Sequence, residues 1–369
     1  MIKKVGSVFL IIVVVAGVSW YWHTYNTPAY AKKWGWFPTT TFIPLWERKV
    51  QTQQVLKIGM ITDTHVHPNR IDRTNKADDA PRHLGSVKDA HPLKLFVQQM
   101  AQFQPTLIIH EGDVIEGTDD PAIVGQMGLD LVQAELEKIG VPVYWIVGNH
   151  DLRSVDKRQF TETLDFTQRI ARMQAKGVDQ VIDQGDYRLI LLDANYYPDG
   201  REVVPGGKRH IPGYLHPATL AWLERQLDTD KRVYVFMHQG AFFDPVRQGE
   251  TADVDAMIAR TKDPKIRKKL LRQKNRNKAP ITNAAAFRAL LEKYNVDAFI
   301  NGHLEVARYD EIGGVRYYSL TGTKKSDVFP ESFYEMTLDA GVPHIQMYYT
   351  DPADRVRHSV PFAETFRAR

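Results

Sequence analysis

From Val55 onward, short apolar runs alternate with longer amphipathic stretches. Val55 to Ile61, Thr106 to Ile109, Val141 to Val147, Leu189 to Leu192, Val233 to Met237 and Ala298 to Ile300 are short and largely uninterrupted, the pattern of buried strands. Pro92 to Phe103, Ile123 to Ile139, Phe160 to Lys176, Pro217 to Leu227 and Asn283 to Tyr294 carry their apolar residues at helical spacing. This alternation predicts an α/β domain whose strands are largely covered on both faces. Tyr334 to Leu338 and His344 to Tyr349 are expected to add further strands to it.

The N-terminus breaks the pattern. Lys3 and Lys4 precede an uncharged, apolar run from Val5 to Trp22, close to the minimum that spans a bilayer. Trp20, Tyr21, Trp22, Tyr25, Tyr30, Trp34, Trp36 and Phe37 form an aromatic cluster of the kind found at membrane interfaces. The expectation is a transmembrane anchor over 1–22, with the two lysines cytoplasmic, a juxtamembrane linker over 23–54, and an extracytoplasmic domain over 55–369. A cleaved signal peptide is the competing reading, with Ala29-Tyr30-Ala31 as its small-residue cleavage pattern, and would make the protein secreted. That pattern lies far beyond the apolar run, which favours the anchor.

Composition narrows the chemistry. The 369 residues are 43% hydrophobic, enough for a sizeable core, and contain no cysteine, which excludes disulfides, thiolate metal sites and a cysteine nucleophile. Metal ligands must therefore be His, Asp, Glu or Asn. A net charge of +4 is too small to indicate a nucleic-acid partner. The basic residues do concentrate locally: ten Lys or Arg fall between Arg260 and Lys278 against one acid, Asp263. A solvated helical face is the ordinary fate of such a run.

Ligand-type residues gather where the strands end. The first run leads into Asp63-Thr64-His65, the second into Gly112-Asp113, the third into Gly148-Asn149-His150-Asp151, the fifth into His238 and the sixth into Gly302-His303-Leu304-Glu305. Any one of these is a common turn or cap. Five in order, each after an apolar strand, point to one site at the carboxyl edge of an open α/β fold.

In this order the motifs resemble those of the calcineurin-like metallophosphoesterases, and the resemblance covers roughly Leu56 to Thr323. It implies a four-layer α/β/β/α sandwich and a hydrolase acting on a phosphate monoester, diester or pyrophosphate through a metal-bridging hydroxide. It implies two metal ions, Mn, Fe or Zn. Asp63 and His65 match ligands of the first metal, Asp113 the bridging carboxylate, and Asn149, His238 and His303 ligands of the second. His150 matches the histidine near the leaving oxygen, and Glu116 stands where some members carry an acid that orients it. Two cations about 3.5–4 Å apart suit this chemistry because they neutralise an anionic ester, acidify a water and align the attack. Asp151 is expected to cap a helix or brace a ligand, and His110 to be a satisfied core residue.

Glu305 departs from the family pattern, which has histidine there. The expectation is that Glu305 ligates the first metal and makes the site harder, favouring Mn or Fe over Zn. The alternatives are that His67 supplies the missing imidazole, or that the first site is weak. A weak site would fit a non-catalytic, membrane-tethered binding protein. Asp63-Thr64-His65-Val66-His67 also resembles the opening of TatD-like and other amidohydrolase-type hydrolases, but those leave the second and third motifs unexplained.

The connection from Gln239 to about Pro280 is long and leaves a ligand-bearing strand, so this basic insertion, at about 241–280, is expected to overhang the site. The expected partner is an anionic phosphoester, lipid-linked in the sharpest form of the reading, with the basic stretch against anionic lipid. Nucleic acid is disfavoured because no aromatics interleave the basic residues.

Overall fold

The computed structural model describes residues 54–67, 91–117, 122–164, 178–205, 213–241, 263–265, 267–268, 280–305, 307–323, 331–350 and 357–362. The anchor and nearly all of the linker lie outside the described residues, as do most of the basic insertion and all but the first five residues of the helix expected at Phe160 to Lys176. Among the described residues no helix is long and apolar enough to cross a membrane.

Among the described residues, twelve strands and five α-helices follow one another as β1 (Leu56–Ile61), α1 (His91–Phe103), β2 (Leu107–His110), α2 (Ala122–Leu136), β3 (Val143–Trp145), α3 (Lys157–Thr163), β4 (Gln180–Gln184), β5 (Tyr187–Leu192), α4 (Pro217–Leu227), β6 (Arg232–Met237), α5 (Ala284–Lys293), β7 (Ala298–Asn301), β8 (Arg308–Ile312), β9 (Val315–Ser319), β10 (Glu331–Asp339), β11 (Val342–Thr350) and β12 (Arg357–Pro361). They build two six-stranded sheets, ordered β12-β11-β10-β1-β2-β3 and β4-β5-β6-β7-β9-β8. β1, β2 and β3 run parallel in the first sheet. β5, β6, β7 and β9 run parallel in the second.

Three apolar clusters hold the layers together. Ile58, Met60 and Tyr334 of the first sheet pack with Leu189, Phe236 and Ile300 of the second, so the sheets lie face to face. On the outer side of the first sheet, Phe96 and Met100 of α1 and Leu129, Val132 and Leu136 of α2 meet Ile61, Ile108 and Val143. On the outer side of the second, Trp222 and Leu223 of α4 and Phe287 and Leu291 of α5 meet Val233, Val235 and Phe299. Helix, sheet, sheet and helix are therefore stacked in that order, and strands buried on both faces explain the continuous apolar runs.

Local chemistry sets the helix ends. Asp156 caps α3 through a reciprocal pair, accepting from Gln159 N at 2.7 Å while Gln159 Oε1 accepts from Asp156 N at 3.1 Å. His216 caps α4, its Nδ1 accepting from Ala218 N at 3.1 Å, with Pro217 at the first helical position. Four strands escape the apolar-run criterion: β4, β8, β9 and β12. β8 reads Arg-Tyr-Asp-Glu-Ile and survives at a sheet edge because Arg308 and Asp310 neutralise each other at 3.1 Å. Tyr309 meanwhile packs on Tyr318.

Candidate metal centre

The parallel strands point their carboxyl ends the same way, and the loops that follow are stitched to one another. Asp63 N donates to Gly112 O, His65 N to Asp113 O and Val66 N to Val114 O, each at 3.0 Å, so the first two motifs continue the sheet as paired loops. Thr323 N donates to Thr62 O at 2.9 Å and His303 N to Asp63 Oδ2 at 3.0 Å, which ties the second sheet's end to the first. Five of the eight described non-glycine residues with positive φ are Asp63, His65, Asp113, His303 and Glu305. Left-handed backbone costs such residues on the order of 1–3 kcal/mol each, and its clustering marks a place where geometry has been bought with stability.

Two ligand groups result. Around His65 Nε2 lie Asp63 Oδ1 at 3.7 Å, Asp113 Oδ2 at 3.6 Å and Glu305 Oε1 at 3.5 Å. Around His238 Nε2 lie Asp113 Oδ1 at 3.2 Å, with Asn149 Oδ1 and His303 Nδ1 each at 3.3 Å. Atoms sharing one cation at bond lengths of about 2.1 Å stand roughly 3.0–3.5 Å apart, so the His238 group has the spacing of a coordination shell and the His65 group, at 3.5–3.7 Å, is slightly wider. Asp113 belongs to both, one oxygen to each. Among the described residues Asp63 Oδ1 and His65 Nε2 are buried without a hydrogen-bond partner, as expected of groups whose partner is a cation. Glu305, and not His67, joins Asp63 and His65 in a cluster able to hold an ion.

Electrostatics follows from this crowding. Burial opposes charge on His65, but Asp63, Glu116 and Glu305 outweigh it and hold the imidazole well above its ordinary value. Burial likewise opposes charge on His238, and Asp113 outweighs it, lifting the ring to about 9. At His303 burial, with His238 beside it, outweighs the pull of Asp113 and Asp63 and draws the ring to about 4. Asp113 resists its burial because His238 and His150 face it, and sits well below the usual carboxylate range. His238 Nδ1 donates to Glu111 O at 2.8 Å, which leaves Nε2 as the coordinating nitrogen.

His150 stands beside the first group, its ring edge-on to His65 with centroids 4.5 Å apart and planes at 89°. Its Nδ1 donates to the backbone carbonyl of Glu116 at 2.6 Å. An acid at the position of Glu116 is expected either to orient His150 or to be an ordinary exposed carboxylate. The carboxylate turns instead toward His65, with Oε2 3.4 Å from Nδ1, because the main chain already occupies the His150 nitrogen. Asp151 is a brace and not a helix cap: its Oδ1 accepts from Ile115 N at 3.0 Å and its Oδ2 from Gly148 N at 2.8 Å. His110 is a satisfied core group, stacked on Trp145 and 3.1 Å from Thr64 Oγ1.

Several supporting residues carried no sequence signal. Thr62 Oγ1 donates to Asp63 Oδ2 at 2.6 Å, and its place at the end of β1 was the one available hint. Gln239 donates to Asn195 Oδ1 at 2.7 Å and Asn195 to Val147 O at 2.8 Å, a strut between the ends of β6 and β3. Glu111 is fully buried with both carboxylate oxygens unpartnered among the described residues, and burial raises its pKa well above the usual range.

A two-sheet α/β fold with two groups of metal-ligand residue types at its strand ends is the architecture of a metal-dependent hydrolase. The chain belongs to the calcineurin-like phosphoesterase family, whose model matches residues 56–306. It is 28% identical over 184 residues to a probable glycerophosphodiester phosphodiesterase from Arcobacter nitrofigilis, covering 49% of this chain and 56% of that one. The chain thus spans little more than half the length of this curated relative. In fold it is similar to a dimetal phosphatase from Danio rerio, with a TM-score of 0.57 and 17% identity over 83% of this chain and 99% of that one.

Proposed function

We propose that the protein is a metal-dependent phosphoesterase with Asp63, His65, Asp113 and Glu305 holding one cation and Asp113, Asn149, His238 and His303 the other. The observation that carries this is the shared carboxylate: Asp113 offers Oδ2 to the His65 group and Oδ1 to the His238 group. Bound cations at such a pair would supply charge to neutralise the ester and acidity to ionise a water. Three carboxylates in the first group favour a hard ion, Mn or Fe, over Zn.

The protein's own groups do the rest. The His150 ring is locked through Nδ1 on Glu116 O, so Nε2 is the atom that hands a proton to the leaving oxygen. Burial, helped by His65 and Arg153 and opposed by Asp113, draws His150 to about 4. An anionic ester beside the ring favours the imidazolium and opposes that shift. The relative's name favours a phosphodiester among the ester classes, and the N-terminal apolar run favours a membrane-anchored, extracytoplasmic setting.

The test is metal content coupled to turnover. The full chain is stripped, reloaded with Mn, Fe or Zn, and assayed on bis-p-nitrophenyl phosphate, p-nitrophenyl phosphate, pyrophosphate and a glycerophosphodiester, beside Glu305→Ala and Glu305→His. Two metals per chain, diester turnover, and loss of one metal in Glu305→Ala are expected. A wild type that binds one metal at most and cuts none of these esters, and gains turnover only as Glu305→His, would establish the non-catalytic binding protein instead. A reporter fused after Arg369 that proves active only in the cytoplasm would sink the extracytoplasmic assignment.

A further inference from the structure

Glu116 reaches the site with two different groups. Its backbone carbonyl accepts from His150 Nδ1 at 2.6 Å, and its carboxylate Oε2 lies 3.4 Å from His65 Nδ1. His65 is only 2% exposed, and its other nitrogen, Nε2, faces Asp63, Asp113 and Glu305. An imidazole that gives Nε2 to a cation keeps its proton on Nδ1, and here that proton faces a carboxylate. The separation needs to close by only about half an ångström to reach ordinary hydrogen-bond length.

We propose that the Glu116 carboxylate is the positioning residue for His65, fixing its tautomer and orientation and increasing its basicity toward the first cation, while the Glu116 main chain separately fixes His150. This rests on the metal-centre reading above. Carboxylate partners of ligating histidines tune metal affinity in this way. The edge-to-face contact between His65 and His150 makes the orientation matter twice, since a rotated His65 ring would press into His150. The division of labour also makes the carboxylate testable alone, because Glu116→Gln keeps the carbonyl that His150 uses.

The experiment is a calorimetric titration of the stripped full chain with Mn(II), comparing wild type, Glu116→Gln and Glu116→Ala, with the unfolding midpoint of each stripped protein as control. Two sites are expected in the wild type. In Glu116→Gln one of them weakens about 10- to 100-fold, and Glu116→Ala weakens it further. The second site, the unfolding midpoint and the dependence of turnover on leaving-group acidity at saturating Mn(II) stay at wild-type values. His65, Glu116 and His150 could themselves hold an ion. Three sites in the wild type falling to two in Glu116→Gln would make Glu116 a ligand and overturn the positioning role. Unchanged affinities in both variants, or both sites weakening together with the unfolding midpoint, would overturn it as well. A wild type that binds no metal would remove the metal-centre reading itself, a distinguishable result.

Discussion

Asp113, from the first sheet's edge, meets His238, from the second sheet's, with Oδ1 3.2 Å from Nε2. The same carboxylate holds the main chain of the third motif, accepting from His150 N at 2.7 Å. A residue that joins two sheets and two ligand groups should have no substitute. Asp113→Asn is expected to lose both metals, whereas His303→Ala, which touches only the His238 group, should lose one. Mass-spectrometric metal counting on purified variants decides this; equal losses in the two would mean that Asp113 is not shared.

His150 is expected to matter for turnover and not for metal. His150→Ala should retain the wild-type metal count and lose about 10²- to 10⁴-fold in rate. The loss should grow as the leaving alcohol becomes less acidic, since only poor leaving groups need the proton. A uniform loss across leaving groups would make His150 a binding residue instead of a proton donor.

Much of this site was legible in the sequence because its ligands sit on main-chain turns directly after buried strands, where spacing alone carries the geometry. Asp63, His65, Asp113, Asn149, His238 and His303 all converge as the motif order implies, and Glu305 joins the His65 group. What spacing does not carry is side-chain direction. Glu116 lies at a recognisable position, yet which of two imidazoles its carboxylate faces depends on the carbonyl claiming the other. Asn195 and Gln239 were invisible for a related reason, since their strut joins strands far apart in the chain. Edge strands β4 and β8 were missed because polar pairing, not an apolar run, sustains them.

Close backbone approach at the third motif yields a steric prediction. A Cβ on Gly148 would collide with the backbone N and Oδ1 of Asp113. Both atoms are rigidly held, so no side chain can swing aside. Gly148→Ala is expected to displace Asp113 and abolish high-affinity binding at both metals, and the check is Mn(II) titration alongside circular dichroism. Wild-type affinity in a folded Gly148→Ala protein would show that the two loops are more compliant than their contacts imply.

Asp151 braces the same turn from below, accepting from Ile115 N and Gly148 N. Asp151→Ala strands two buried N–H groups at roughly 1–3 kcal/mol each, so the stripped protein should lose about 2–6 kcal/mol of stability. Urea unfolding measures this. A loss under about 1 kcal/mol would mean that water replaces the carboxylate, and the brace would then be dispensable.

A pH dependence arises away from the metals, where Asp179 is wedged beside Asp193. Its Oδ1 accepts from Asp193 N at 2.9 Å and its Oδ2 from Thr219 Oγ1 at 2.8 Å, while Lys157 pairs with Asp193 at 2.5 Å. Burial, reinforced by the Asp193 charge, raises Asp179 from 3.8 to about 7. A folded-state value above the unfolded one means that the native state binds the extra proton. The associated stability is fully present below pH 4 and is lost progressively as pH rises to about 7. Asp179→Asn mimics the protonated form: its carbonyl oxygen still accepts from Asp193 N, and its amide donates to the Thr219 hydroxyl. The variant should therefore match wild type near pH 4 and exceed it increasingly up to about pH 7, by an amount on the order of several kcal/mol, then run parallel. Urea midpoints of the metal-free proteins from pH 4 to 8 test the sign. A gap that stays constant across that range would show that Asp179 ionises as an ordinary carboxylate, with Lys157 serving both acids instead of Asp193 alone.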